Sequence, residues 1–248
     1  MQPMPVTAQQ TIRTVHELFN SSVSDAHLVF EFNLFHSSVT QKLWSVEYYC
    51  NELINLDVHK FLLDTVSITE SGGSTTIQRP LFDPEGYCRH LNLWLDGFLM
   101  NSMSALDTLA HEISTLYSSP QRLGDIYIVG IKNMLLRFHP NSRLGKFLDI
   151  RLGQPWFDEL QGFRHCTTHE SLIRYDDIKF SFDPVTYGLR VSKIKLPDNA
   201  KVRPFTYHKK REVTSRCQFI RRKIQSLVFK AYESILMDIH INNNILPI

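Results

Sequence analysis

The sequence predicts an all-α protein: a multi-helix bundle with an N-terminal helical extension and one small β-hairpin near residues 179–194. Three observations carry this. Apolar residues recur at three- and four-residue steps over most of the chain, the period of a helix that buries one face. Asp83-Pro84-Glu85 supplies an N-cap, a proline suited to the first helical position and an acid for the first turn. Alternation with a period of two is confined to one stretch, which has turn-forming residues at its centre.

The elements follow in order. Residues 7–19 form a short amphipathic helix with Ile12, Val15, Leu18 and Phe19 on one side, broken by Asn20-Ser21-Ser22. A longer helix runs over about 25–56, where Val29, Phe32, Phe35, Val39, Leu43, Val46 and Cys50 mark the buried face. The aromatic residues around Phe30–Phe35 and Trp44–Tyr49 are read as core. Asp57 caps a short successor reaching about Val66. Thr69-Glu70-Ser71-Gly72-Gly73-Ser74 then reads as a flexible loop and a subdomain boundary. From Asp83 a long helix continues to about Tyr117, with a seam of Leu91, Leu95, Phe98, Ser102, Ala105, Leu109, Glu112 and Leu116. The polar members of that seam need partners if buried. Residues 122–138 and 142–151 are two further helices, and one more begins at Gln154-Pro155 and runs to about 174 with Trp156, Leu160, Phe163 and Thr167 on one stripe. The hairpin joins Lys179–Phe182 to Leu189–Ile194 through Asp183-Pro184-Val185-Thr186-Tyr187-Gly188. A last helix covers about 208–240, with Val213, Cys217, Ile220, Ile224, Leu227 and Ala231 as its seam. Two segments result: 1–80 as the N-terminal extension, and 82–240 as a bundle with a hairpin insertion, packed as one unit.

A chain of 248 residues that is 43% hydrophobic and 21% charged has the composition of a folded globular protein. Its net charge of +2 hides an asymmetry, because residues 201–223 hold nine Lys and Arg against the single acid Glu212. An anionic partner is therefore expected at the C-terminal third. The four cysteines, at 50, 88, 166 and 217, show neither paired nor clustered spacing, which argues against a disulfide framework or a zinc ribbon. The N-terminus has no signal-peptide pattern, and no apolar run approaches the ~18 residues of a membrane span. A cytoplasmic location and no membrane partner are the expectations.

The chemically pointed feature is Arg164-His165-Cys166-Thr167-Thr168-His169. With Trp156-Phe157 and Phe163 before it, and a small hairpin and a final amphipathic helix after it, this Arg-x4-His segment resembles the HEPN superfamily (higher eukaryotes and prokaryotes nucleotide-binding). The resemblance covers roughly residues 82–240. It implies a helical bundle that forms a homodimer, with a metal-independent endoribonuclease site shared between copies. It makes Arg164 and His169 the catalytic pair, with no cofactor and no metal. Such nucleases include toxin and defence proteins, so RNA and a protein antitoxin are the partners implied. One departure is His165, which stands where the family commonly has a small polar residue.

The chemistry suits the residue types. Cleavage of RNA by its own 2′-hydroxyl needs a group of near-neutral pKa to move a proton and a fixed cation to stabilise charge on phosphorus-bound oxygens. On a straight α-helix, however, five positions turn side chains about 140° apart. A dimer or a local irregularity in the helix is needed to bring the pair together. Site-supporting candidates are His165, Thr168, Asp107 and Glu112, the two acids being able to orient His169 or position Arg164. The basic residues Lys209, Lys210, Arg211, Arg216, Arg222 and Lys223 are the candidates for nucleic-acid binding. The bland alternatives are concrete as well. Arg164 can pair with Asp107 or Glu112 within the core, and the basic stripe can be a solvated flank. His165 and His169 share metal-ligand spacing, but no third ligand is evident. The rival function is a non-catalytic helical binding or scaffold protein carrying a degenerate HEPN motif.

Overall fold

Helix formation follows the capping and periodicity of the sequence closely. The computed structural model describes residues 6–62, 68–71, 74–77, 82–117, 126–167, 178–183, 188–192, 194–198, 206 and 211–241. Helix α1 spans Val6–Ser22 and α2 spans Ala26–Ile54; the Asp25 carboxylate accepts from the His27 and Leu28 amides and so starts α2. A short 3-10 turn, Val58–Phe61, is capped in the same way by Asp57. Helix α3, Pro84–Leu116, begins where the Asp83 side chain accepts from the Gly86 amide at 2.8 Å. After it come α4 (Ile128–Phe138), α5 (Arg143–Leu152), α6 (Pro155–His165) and α7 (Val213–Ile241). Among the described residues, the architecture is an all-α bundle with two small antiparallel strand pairs.

The central pair is α2 against α3, antiparallel along most of their length. Phe35 stacks on His111 with ring centroids 5.0 Å apart at one end, and the Tyr49 ring lies against Gly97 at the other. A Cβ at position 97 would run into that ring, so this glycine permits the close approach of the two helices. Helix α7 then packs on α1, α2, α3 and α5. One hydrophobic core runs from Val15 and Phe19 of α1 through α2 and α3 to Ile235 and Ile239 of α7. The N-terminal segment therefore contributes to the same core as residues 82–240, rather than forming a separate one.

The seams read from the sequence are the buried faces. All eight positions of the α3 seam, Glu112 included, and all six of the α7 seam are buried. Besides the later starts of α4, at Ile128 rather than about 122, and of α7, at Val213 rather than about 208, three features differ from expectation. Most of the stretch read as a flexible loop lies in two strands: Thr69, Glu70 and Ser71 belong to β1 (Ile68–Ser71) and Ser74 to β2 (Ser74–Ile77), paired antiparallel from Ile68↔Ile77 to Ser71↔Ser74. The β-branched Ile68, Thr69, Thr75, Thr76 and Ile77 favour strands, and Gly-Gly is a hairpin dipeptide. Second, the residues around Phe30–Phe35 and Trp44–Tyr49 divide between two faces. Phe32 and Val46 are in the core, but Phe30, Leu34, Trp44 and Tyr48 are more than half exposed, because only one face of α2 meets α3. Third, α6 keeps α-geometry only to His165 and then enters a π-type turn at residues 166–167.

The expected hairpin is present as β3 (Phe180–Asp183) and β4 (Gly188–Val191), in register Phe180↔Val191. Phe180 docks it against the start of α3, its ring 4.5 Å from that of Phe82 and edge-on to Tyr87. Among the described residues, no helix is long and apolar enough to cross a membrane.

Candidate functional site

Arg164 sits half-buried in the last turn of α6, which packs against α3. Directly after it the helix changes character. Cys166 is fully buried, the Thr167 hydroxyl donates to the Arg164 carbonyl at 3.0 Å, and the backbone widens into the π-type turn. Such a turn closes hydrogen bonds between positions five apart and is frequent at functional sites. Where it occurs, side chains five positions apart are brought much nearer to one face than the ~140° of a regular α-helix allows. His165 is exposed beside it, while Thr168 and His169 lie outside the described residues.

Helix α3 presents Asp107 and His111, one turn apart, to this end of α6. Burial holds the Asp107 carboxyl above its usual value, a rise opposed by the Ile128 amide, the Arg164 guanidinium and His111. The Ile128 amide donates to Asp107 Oδ1 at 3.3 Å, so Asp107 caps the first turn of α4, where Tyr127 offers no side-chain cap of its own. Burial pushes His111 down, opposed by Asp107, which favours the neutral imidazole. The His111 ring stacks on Phe35, and its Nδ1 is buried with no hydrogen-bond partner among the described residues. Desolvation of an acid and a base next to a fixed cation is the arrangement that marks functional sites more often than chance. The sequence reading named Asp107 and Arg164 but missed His111. Its i, i+4 relation to Asp107 was the available signal.

Glu112, the other acid candidate, is fully buried and takes part in a different cluster. Its Oε1 is 2.8 Å from His36 Nδ1 on α2, and its Oε2 accepts the Tyr232 hydroxyl from α7 at 2.5 Å. His36 in turn stacks on His16 of α1, with centroids 4.7 Å apart, and His16 contacts Asn20. Four helices are tied together by this one carboxylate and its neighbours. Helix α7 holds a second buried acid, Asp238. It accepts from the hydroxyls of Tyr117 (2.9 Å) and Ser142 (2.7 Å) and from the amides of Arg143 (2.8 Å) and Leu144 (3.2 Å). A carboxylate from α7 thus completes the N-terminus of α5.

The basic stripe is partly consumed within the fold. Arg216 forms a two-point ion pair with Glu159 of α6, and Arg211 Nη1 reaches the same carboxylate at 3.2 Å. Arg221 donates to Glu47 of α2 at 2.6 Å. Arg216 and Lys223 also lie over the Phe219 ring, at 4.5 and 5.3 Å. Arg222 faces solvent, and Lys209 and Lys210 lie outside the described residues. Among the described residues, no three His, Cys, Asp or Glu side chains gather as a metal-binding group. No family model, curated protein or solved structure matches this chain.

Proposed function

We propose that the protein is a metal-independent endoribonuclease of HEPN type, with Arg164 and His169 as its catalytic pair. The observation that supports this reading best is the change of helix geometry just after Arg164, beside the desolvated Asp107 and His111. A π-type turn relaxes the stereochemical objection that a straight helix raises against an Arg-x4-His pair. In the reaction, the ribose 2′-oxygen bonds to the adjacent phosphorus and the bond from phosphorus to the 5′-oxygen breaks. The products are a 2′,3′-cyclic phosphate and a 5′-hydroxyl. One proton leaves the attacking hydroxyl and one reaches the departing oxygen; imidazole groups of His169 from two copies serve these two transfers. Arg164 offsets charge on the non-bridging oxygens. The shared cleft makes a homodimer part of the reading. A cytoplasmic setting, RNA as substrate and a protein antitoxin as regulator belong to it too. Arg222 and Lys223 are the described cations best suited to the RNA backbone.

The test is incubation of purified protein with mixed RNA in EDTA. Wild type should cleave, and Arg164→Ala or His169→Ala should lower the rate by roughly a hundredfold or more. Equal inertness of wild type and variants across many RNAs would end the proposal.

A second reading is favoured by the hydrogen bond from Ile128 to Asp107. Here Asp107 is a tertiary cap, Arg164 its electrostatic neighbour, and the protein a non-catalytic helical binding or scaffold module. Under this reading Arg164→Ala should lower the melting temperature by several degrees, whereas replacing a catalytic arginine should leave it nearly unchanged.

A further inference from the structure

Opposite its packed face, α2 carries a second seam that the described residues leave open. Phe30, Leu34, Ser37, Gln41, Trp44 and Tyr48 are all exposed, the four large ones at 67%, 51%, 64% and 53%. Their steps of four, three, four, three and four residues are the a/d spacing of a coiled coil. The order is also symmetric about Val39. Phe30 and Tyr48 stand nine residues either side of it, Leu34 and Trp44 five, and Ser37 and Gln41 two.

We infer that this seam is a two-fold homodimer interface, in which α2 pairs antiparallel with α2 of a second copy about an axis at Val39. In that pairing Phe30 meets the second copy's Tyr48, Leu34 its Trp44 and Ser37 its Gln41. The small polar pair falls at the axis and the bulky pairs at either end. An isologous interface requires this kind of self-complementarity, and a patch for an unrelated partner does not. The surface also has the matching relief. Gln41, Trp44, Ser45 and Tyr48 stand at i, i+3, i+4 and i+7, and with Thr40 and Tyr49 they line a groove of about 580 Å³. Four residues at that spacing form the hole that receives a knob from a facing helix. Symmetry brings the second copy's Leu34 against it.

Charge and area agree with this occupant. The six seam positions carry no charge, and on the flanks Glu31 faces Ser45 and Asn33 faces Glu47, so no like charges meet. A large side chain of this kind presents ~150–250 Å² when fully open. At half to two-thirds exposure, the four together offer roughly 400 Å² of apolar surface per copy, the centre of an interface that needs ~800 Å² per partner. The stacking of Phe35 on His111 sets α3 so that Asp107 lies level with Val39. Because α3 lies on the far side of α2 from this seam, the two Asp107–Arg164 clusters are held apart, and this interface is distinct from the shared cleft of the nuclease reading. The interface itself does not depend on the nuclease reading.

Sedimentation equilibrium on the full chain tests it, and a mass of two copies is expected. Leu34→Glu and Trp44→Glu change exposed residues, so circular dichroism and melting temperature should stay near wild type. Each substitution enters the interface twice, and the dissociation constant should rise about a hundredfold or more. In a Cys88→Ser background, Ser37→Cys with Gln41→Cys should give a disulfide-linked dimer on oxidation in higher yield than either single change. A one-copy mass for wild type well above micromolar concentration overturns the inference. So does an unchanged mass in both glutamate variants, or equal cross-linking by the single cysteines, which would signal parallel pairing. A dimer of this form that leaves RNA intact counts against the nuclease alone, whereas a dimer that cuts RNA and whose mass both glutamate variants leave unchanged counts against the interface alone.

Discussion

Glu112 illustrates how a residue's position along a helix and its meaning in the fold come from different sources. Its place on the α3 seam is legible from periodicity, and so is the demand that a buried carboxylate find partners. The partners themselves, His36 and Tyr232, are 76 and 120 residues away in the chain. Removing the carboxylate leaves Tyr232 and His36 only their long contact with each other, at 3.4 Å, so Glu112→Ala should cost about 2–3 kcal/mol in urea unfolding. Tyr232→Phe removes only one donor and should cost about 1–2 kcal/mol. Asp107 behaves differently, because burial raises its carboxyl above the usual 3.8. The folded chain therefore holds that proton more tightly than the unfolded one. Stability from this group is present at acid pH and is lost as pH rises through the raised value. Asp107→Asn retains an oxygen for the Ile128 amide. It should melt a few degrees above wild type at neutral pH and lose that advantage below pH 3.8. His111 has the opposite sign: its folded-state value is lowered, so its contribution falls away as pH drops below 6.5.

Element boundaries were readable wherever a side chain caps its own helix. Asp25, Asp57 and Asp83 each accept from amides two or three residues on, and each stands where the sequence placed a start. Caps supplied from elsewhere were not readable. Asp107 serves α4 from α3, and Asp238 serves α5 from α7, across separations that no local pattern records. Asp238→Ala should therefore destabilise the protein by about 2–4 kcal/mol, with amide exchange accelerated first at Arg143 and Leu144. The β1–β2 hairpin was missed because its Gly/Ser centre outweighed its β-branched flanks. The change to a π-type turn after His165 was missed because such a turn preserves helical composition, and the remainder of that helix as read from the sequence, 168–174, lies outside the described residues. Gly97 carries a further element-scale consequence. Alanine is intrinsically favoured in a helix by about 1 kcal/mol. At this position its Cβ meets the Tyr49 ring, so Gly97→Ala should instead be destabilising, by about 1–3 kcal/mol.

At the scale of the whole molecule, one core joins α1 and α2 to the remainder, so residues 6–62 and 82–241 are expected to unfold in a single transition by circular dichroism and tryptophan fluorescence. The basic tail shows how tertiary packing redistributes charge. A run of nine cations in residues 201–223 marks a positive region in the sequence, yet Arg211 and Arg216 are used to hold Glu159 and Arg221 to hold Glu47. A charge-pairing role for these three makes Arg222 the more informative substitution for testing the proposed RNA contact. Amphipathic period, proline and capping residues determined that this chain is helical, where most of its helices begin, and which faces of α3 and α7 are buried, because each of these is a contest between neighbours within a turn or two. Tertiary structure alone decided that Asp107, His111 and Arg164 share one electrostatic environment and that Glu112 belongs to another. It also decided that half of the aromatic residues of α2 face outward. Those outcomes depend on which helix lies against which, and burial, pairing and desolvation come from that long-range contact rather than from local sequence.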